Sequence, residues 1–214
     1  MAEFNTEYYK GTDRYSDGDI EDTILDLVRS GARWEDRKDR SFPILYHLSP
    51  VRENILSWYS FRKGAQVLEI GAGPGAITGL LCRKAADGHV TSVELSERRA
   101  RINYERHRDL DNLTILVGNM NDMELAGKYD YVILNGVFEY AASFTEGDDP
   151  YGTFLKTCMS YLKADGILLI AIENRLGLKY FAGAPEDHTE NYLEGIKGYP
   201  GKSGVKTFSR TEWE

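Results

Sequence analysis

An acidic residue and three alternating glycines follow an apolar, strand-like run near residue 65. The glycines are Gly71, Gly73 and Gly75, and Glu69 precedes the first of them by two positions. A second apolar run ends in Glu94, nineteen residues after the last glycine. Glycine adopts backbone angles closed to other residues and lets a ligand approach the main chain. A carboxylate at a strand end can accept hydrogen bonds from a ribose diol. The pattern therefore predicts a site for a nucleoside-bearing cofactor.

The glycine spacing separates two kinds of cofactor. The dinucleotide fingerprint G-x-G-x-x-G places a pyrophosphate on a helix N-terminus, whereas residues 71–75 read G-x-G-x-G after Glu69. An anion so close would repel a pyrophosphate, but it suits a cofactor carrying ammonium and sulfonium charges. This turn, with Glu94, resembles class I S-adenosylmethionine-dependent methyltransferases. The resemblance implies S-adenosylmethionine as the cofactor.

Two later segments, residues 117–120 and 130–140, are similar to the same family. The resemblance implies that the amide of Asn119, at a position where aspartate is more usual, binds the adenine amino group, and that the thioether of Met120 packs on the adenine ring. It also implies that the turn after the fourth predicted strand passes beneath the methionine moiety. The cofactor-binding residues predicted in this way are Glu69, Gly71, Ala72, Gly73, Gly75, Glu94, Leu95, Asn119, Met120, Asn135, Gly136 and Val137. No metal-binding residues are predicted.

Methyl transfer to oxygen or nitrogen often needs a base, which points first to histidine. Tyr140 stands where many relatives carry histidine, so that candidate is missing. His188 lies in the segment after the fifth predicted strand, where an acceptor should enter, and a neighbouring carboxylate could orient it and raise its pKa. His188 is therefore the predicted catalytic residue, with a loop-stabilising role or surface exposure as the alternatives. Glu139 and Glu173 are also expected to point toward the cleft.

The elements that must position these residues alternate regularly from residue 64. Strands alternating with helices predict a Rossmann-like α/β fold, a parallel sheet with helices on both faces. Strands 6 and 7 of the family fold are expected to be missing. The strands are predicted at 65–70, 89–94, 113–117, 129–134 and 166–172, and the helices at 75–86, 96–107, 121–126 and 150–163.

Three regions are predicted from these patterns. Residues 1–62 form a helical cap, with a helix containing Ile20 and Ile24, another beginning at Ser49-Pro50, and a covering loop between them that holds Trp34 and residues 42–46. Residues 63–175 form the cofactor-binding core, and residues 176–214 form an acceptor-side loop that ends in an unfinished helix. The chain is thus expected to be part of a longer protein, with a sheet edge suited to a homodimer or to additional domains.

The composition narrows the possible partners and location. The net charge of −8, without a long basic run, disfavours nucleic acid, and no apolar stretch is long enough to span a membrane. Cys82 and Cys158 fall in predicted helices without metal-ligand spacing, which favours buried thiols and a cytoplasmic location.

Residues 171–188 resemble bacterial methyltransferase modules that accompany glycosyltransferases in cell-surface polysaccharide synthesis. This implies O- or N-methylation of a small-molecule or glycan-linked acceptor. Two alternatives stay open: a non-catalytic cofactor-binding or assembly module of a larger protein, and an NAD-dependent oxidoreductase, which the glycine spacing disfavours.

Overall fold

Six parallel strands form one sheet. A computed structural model describes residues 1–11, 16–31, 38, 41–201 and 204–213. The strands are paired in the order β1-β4-β3-β2-β5-β6. The chain runs outward from β2 through β3 to β4 and then crosses back to β5 on the other side of β2, so a crevice opens at the carboxyl ends of β2 and β5. The predicted Rossmann-like sheet is confirmed. The strand bounds are β1 Glu3–Asn5, β2 Gln66–Ile70, β3 His89–Glu94, β4 Leu113–Val117, β5 Tyr129–Asn135 and β6 Leu162–Ala171.

Helices connect the strands and cover both faces of the sheet. Two apolar clusters, one centred on Val67 and Ile115 and the other on Leu68 and Leu134, fill the opposite faces. The α-helices are α1 Ile20–Arg29, α2 Phe42–Leu48, α3 Thr78–Lys84, α4 Glu97–His107, α5 Ala141–Phe144, α6 Pro150–Ser160, α7 Leu178–Phe181 and α8 Arg210–Trp213, and the 3-10 helices are Pro50–Ile55, Met120–Asp122 and Phe138–Tyr140.

Strand β1 was not predicted from the sequence. Its three residues are too few to show a strand pattern, and the strand exists because it pairs in parallel with β4, where Glu3 faces Thr114. The ring of Phe4 packs on Tyr104 of α4, with ring centroids 5.4 Å apart. The N-terminal region therefore contributes to the sheet as well as covering it. The domain boundaries near residues 62 and 175 stay predictions.

One loop prediction and two helix predictions were wrong in detail. Residues 42–46, expected as a covering loop, lie in α2; Ser41 precedes this helix and Pro43 lies in its first turn, a position that proline tolerates because no hydrogen-bond donor is needed there. The helix expected from Ser49-Pro50 is a 3-10 helix, and the helix expected at 121–126 shortens to Met120–Asp122. Trp34 lies outside the described residues.

The segment after β6 is irregular, as predicted. Within residues 172–201 and 204–213 no further strand forms, and the pairing is limited to two isolated bridges, Asn174 with Phe208 and Pro185 with Tyr192. Helix α8 lies in the region where the sequence predicts a helix start. Cys82 and Cys158 are buried free thiols in α3 and α6, as predicted.

A buried ion pair docks α1 onto α4. The Glu21 carboxylate, which is fully buried, accepts a hydrogen bond from Arg99 Nε at 2.7 Å. The same carboxylate accepts hydrogen bonds from Ser16 Oγ and the Asp17 amide. Asp17 forms a further ion pair with Arg99 and a hydrogen bond with His47 Nε2 of α2. These contacts hold the N-terminal helices over the carboxyl end of the sheet.

We predict that Glu21→Ala lowers the free energy of unfolding by about 3 kcal/mol or more, because the buried Arg99 guanidinium loses the carboxylate bound to its Nε and the Ser16 and Asp17 donors lose their acceptor. Urea denaturation measures the change. The matched control is the neighbouring Asp22→Ala, which removes an exposed carboxylate that pairs with Arg98 at the surface and should cost much less stability, because solvent screens the pair. Equal losses in the two variants would contradict this role of Glu21.

Candidate cofactor and acceptor site

A cavity of about 870 Å³ opens at the carboxyl ends of β2, β3 and β5. Its walls come from the glycine turn, the ends of β3 and β4, the turn after β5, helix α2 and the loop after β6. Ligands of parallel α/β sheets bind at this edge. The cavity is lined by all of the predicted site residues except Gly75.

The glycine turn forms one wall of this cavity. Gly71 has a φ of +70°, and a Cβ at this position would lie 2.4 Å from Val137 Cγ2, so only glycine allows this close approach. Gly73 has a φ of +56° and open space where a Cβ would stand. Gly75 has a different role, because its missing Cβ would lie 2.2 Å from Asn103 Oδ1 of α4. Gly75 thus permits packing of the turn against α4.

Glu94 joins the end of β3 to the glycine turn. Its Oε2 accepts a hydrogen bond from the Gly73 amide at 2.7 Å, and its Oε1 accepts one from the Ser96 amide at 2.9 Å. Burial raises the pKa of Glu94, while these amides and the nearby Arg99 act in the opposite direction. Each carboxylate oxygen can accept a second hydrogen bond. Glu94 therefore lies in the wall with acceptor capacity left for a diol.

Glu69 lies deeper in the same wall. Its Oε2 accepts hydrogen bonds from Ser92 Oγ at 2.5 Å and Thr78 Oγ1 at 2.7 Å. Its Oε1 is buried and has no hydrogen-bond partner. Burial raises the pKa of Glu69 to about 7, and repulsion from Glu94 adds to this effect. The site thus contains a buried carboxylate oxygen without a compensating donor.

The remaining predicted cofactor residues surround the turn. Asn119 Oδ1 accepts a hydrogen bond from the Asn121 amide at 3.0 Å, and its Nδ2 donates to the Phe144 carbonyl at 3.4 Å, so the side chain is held in place at the end of β4. Met120 is buried beside it. The other predicted residues in the wall are Ala72, Leu95, Asn135, Gly136 and Val137.

His188 reaches the cavity from the loop after β6. Glu186, which is almost fully buried, accepts hydrogen bonds from His188 Nδ1 at 2.9 Å and from the His188 amide at 2.8 Å. Tyr199 Oη and the Thr189 amide donate to the same carboxylate. Burial opposes ionisation, yet the hydrogen bonds from His188 and Thr189 hold the pKa of Glu186 below its ordinary value. Glu186 thus fixes the orientation of the imidazole, as the sequence predicts for a neighbouring carboxylate.

Glu139 faces His188 from the turn after β5. Its Oε1 lies 3.9 Å from His188 Nε2, and its buried Oε2 has no hydrogen-bond partner. Burial, with a smaller contribution from Glu173, raises the pKa of Glu139 to about 8. Tyr140 packs edge-on against the His188 ring. Glu139, Glu173 and His188 each offer a donor atom within 4.8 Å of the others.

Several cavity residues were not predicted from the sequence. Asp17 and Arg99 line the wall and belong to the ion-pair network that docks α1. His47 and Tyr46 come from α2. Only the expectation that the N-terminal region covers the cofactor pointed to them. Their approach depends on tertiary packing between segments that are distant in sequence.

The parallel sheet, the glycine turn after β2 and the carboxylate at the end of β3 are the features that this chain shares with class I S-adenosylmethionine-dependent methyltransferases, the class that the sequence resembles. The family model described as methyltransferase domain matches residues 68–168.

Curated relatives place this domain among methyltransferases. Over 118 residues the chain is 29% identical to a malonyl-[acyl-carrier protein] O-methyltransferase of Priestia megaterium, covering 55% of this chain and 40% of that protein. Over 179 residues it is 27% identical to a ubiquinone biosynthesis O-methyltransferase of Xanthomonas axonopodis, covering 77% and 70%. The chain thus spans about two-fifths of the length of the first of these relatives.

Solved structures share the fold. The plantazolicin methyltransferase BpumL, solved with a desmethyl analogue and S-adenosylhomocysteine, has a TM-score of 0.56 at 15% identity, covering 91% of this chain and 73% of its own. Phosphoethanolamine N-methyltransferase 1 of Haemonchus contortus has a TM-score of 0.50 at 24% identity, covering 70% and 31%. Across the described part of the chain, no helix is both long and apolar enough to cross a membrane.

The raised pKa of Glu69 predicts a pH-dependent stability. In the folded chain the Glu69 carboxyl stays protonated up to about pH 7, whereas the ordinary pKa of a glutamate is 4.5. The stability that Glu69 contributes is therefore complete below about pH 4.5 and is lost as the pH rises through about 7. Glu69→Gln should gain stability relative to the parent chain between pH 5 and pH 8, by at most roughly 3 kcal/mol.

Thermal melts of the ligand-free chain at pH 5 and pH 8 measure this gain. The control is Glu124→Gln, which changes an exposed glutamate and should shift both melting temperatures equally. A Glu69→Gln variant whose stability relative to the parent chain is the same at both pH values would contradict the burial argument.

Proposed function

We propose that this chain transfers a methyl group from S-adenosylmethionine to an oxygen or nitrogen of a small-molecule or glycan-linked acceptor. The observation that carries the proposal is the glycine turn, which opens onto the 870 Å³ cavity with Glu94 beside it. The domain class and the fold of relatives solved with S-adenosylhomocysteine support the same cofactor.

The residues present fit this cofactor. Glu94 would accept hydrogen bonds from the ribose hydroxyls, and Asn119 with Met120 would hold the adenine. Glu69 Oε1, buried and without a partner, would face the positive charge of the methionine moiety, which favours an ionised carboxylate. Asn135, Gly136 and Val137 would support that moiety. When bound, S-adenosylmethionine supplies a methyl group activated by its sulfonium charge.

The acceptor would enter beside His188, Glu139 and Glu173. These residues and the cofactor wall line one continuous cavity, so an acceptor here would lie near the activated methyl group. In-line methyl transfer depends mainly on such positioning. We infer that His188 acts on the acceptor, whereas the residues of the opposite wall bind the cofactor.

The relatives support a small-molecule acceptor class without selecting one member. Their names include O-methyltransferases acting in ubiquinone biosynthesis and on a malonyl-acyl carrier protein, and a (S)-coclaurine N-methyltransferase of Thalictrum flavum. Both oxygen and nitrogen acceptors thus occur among proteins that share this domain. The glycan-linked acceptor rests on the resemblance of residues 171–188 alone.

Calorimetry with S-adenosylmethionine, S-adenosylhomocysteine and NAD tests the cofactor proposal. We expect saturable binding of the first two at one site per chain and no binding of NAD. Glu94→Ala should weaken S-adenosylmethionine binding at least about tenfold, because it removes charge-assisted hydrogen bonds to the ribose.

Three results would contradict parts of this proposal. NAD binding in place of the other ligands would support the oxidoreductase alternative, and an unchanged affinity in Glu94→Ala would contradict the ribose assignment. Glu94→Gln is the matched second variant, because it keeps one oxygen for the Gly73 or Ser96 amide. Glu124→Ala is the surface control. Cofactor binding without methyl transfer to any acceptor, using the chain within its full-length protein, would favour the non-catalytic module.

A further inference from the structure

Three side chains from separate segments converge at the acceptor end of the cavity. Glu139 follows β5, Glu173 follows β6, and His188 lies in the loop beyond α7. One donor atom of each lies within 4.8 Å of the other two. Two carboxylates and an imidazole are ligand types that divalent metal ions bind.

Small side-chain movements would bring the donor atoms to the separations of a common ion. With ligand bonds of about 2.1 Å, two donors lie about 3.4 Å apart on a tetrahedral ion and about 3.0 Å apart at neighbouring positions of an octahedral ion. Glu139 Oε1 and His188 Nε2 are 3.9 Å apart, about 0.5 to 1 Å more than these separations. The largest separation in the cluster is no more than 4.8 Å, so a small side-chain rotation would bring the third donor into range.

The imidazole is already oriented for a ligand. Its Nδ1 lies 2.9 Å from the Glu186 carboxylate and donates to it, so Nε2, which lies 3.9 Å from Glu139 Oε1, is the nitrogen available to an ion. A carboxylate bonded to the far nitrogen of a histidine is the usual support for a metal-binding imidazole. Tyr199 and Thr189 in turn hold Glu186.

No lysine or arginine of the described ranges forms an ion pair with Glu139 or Glu173, and the His188 imidazole lies 3.9 Å from Glu139. Glu139 is 2% exposed, and its Oε2 has no hydrogen-bond partner. A buried carboxylate oxygen without a donor is costly unless a cation compensates it.

We propose that Glu139, Glu173 and His188 bind a divalent cation of the Mn²⁺ or Zn²⁺ type at the acceptor end of the cavity. This metal site deepens the proposed function, because the catalytic role of the ion rests on methyl transfer at the same cavity. Three protein ligands leave coordination positions open for an acceptor hydroxyl. A metal-bound hydroxyl loses its proton more readily, so His188 acts as a ligand instead of a base.

The methyl transfer then balances without a protein base. The acceptor hydroxyl releases its proton to solvent, and the acceptor oxygen forms a bond to the methyl carbon. The carbon–sulfur bond breaks, and the sulfur keeps the bonding electron pair. The cation would also select acceptors whose oxygen atoms can reach it.

Metal binding is tested on the full chain after chelator treatment, by calorimetry and electron paramagnetic resonance with Mn²⁺ alone, then by calorimetry with Zn²⁺. We expect one saturable site per chain for at least one of the two ions. Glu139→Gln and His188→Gln should each weaken binding at least tenfold. Asp187→Asn is the matched control, because this neighbouring carboxylate is bound by Lys179 and Tyr180, and it should leave metal binding unchanged.

Absence of saturable binding of both ions, or equal binding in the parent chain and both cluster variants, would overturn the metal site. S-adenosylhomocysteine binding and circular dichroism check that each variant is folded. The outcomes also separate the two proposals. Methylation that persists at full rate in chelator, with no metal bound, would contradict the catalytic role of the metal and would leave the proposed function unaffected. Metal binding by a chain that binds neither S-adenosylmethionine nor S-adenosylhomocysteine would contradict the proposed function.

Discussion

The hydrogen bond between the Glu94 carboxylate and the Gly73 amide is the constraint on which the site depends. It joins the end of β3 to the turn after β2 at 2.7 Å, and the second carboxylate oxygen is bonded to the Ser96 amide before α4. One buried side chain therefore fixes the turn, the strand end and the helix start relative to one another. A nucleoside bound here would contact a wall that is already assembled.

The surrounding residues follow from this arrangement. Gly73 donates its amide to Glu94 in a turn where its φ is +56°, a conformation that favours glycine. Gly75 needs to lack a side chain so that Asn103 of α4 can approach. Thr78 bridges Asn103 and Glu69, since its hydroxyl accepts from Asn103 Nδ2 and donates to Glu69. The cofactor side is thus rigid and densely hydrogen-bonded. The acceptor side instead uses long loops, held by Glu186.

Much of the sheet could be predicted from the sequence, because β2 to β5 are short, apolar and bounded by glycine or polar turns. The cofactor wall could be predicted because glycine spacing and strand-end carboxylates report local geometry. Strand β1 could not, since its pairing with β4 spans over a hundred residues and leaves no local pattern. The role of Gly75 in helix packing could not be predicted either, because it depends on a contact with Asn103, which is distant in sequence.

The acceptor end was only partly predictable. His188 and its neighbouring carboxylates could be named from their place after the fifth predicted strand, but which carboxylate holds the imidazole depends on the path of the loop. That path brings Glu186 to the Nδ1 of His188 and places the Nε2 of His188 near Glu139, which lies in the turn after β5. Long irregular loops carry no periodicity from which such contacts can be read.

A crystal structure of this chain with S-adenosylhomocysteine would test the central claim most directly. The account predicts density for the nucleoside above Gly71 and Gly73, with ribose hydroxyls within hydrogen-bond distance of Glu94 and the adenine beside Asn119. A ligand bound elsewhere, or a ribose that makes no contact with Glu94, would contradict it.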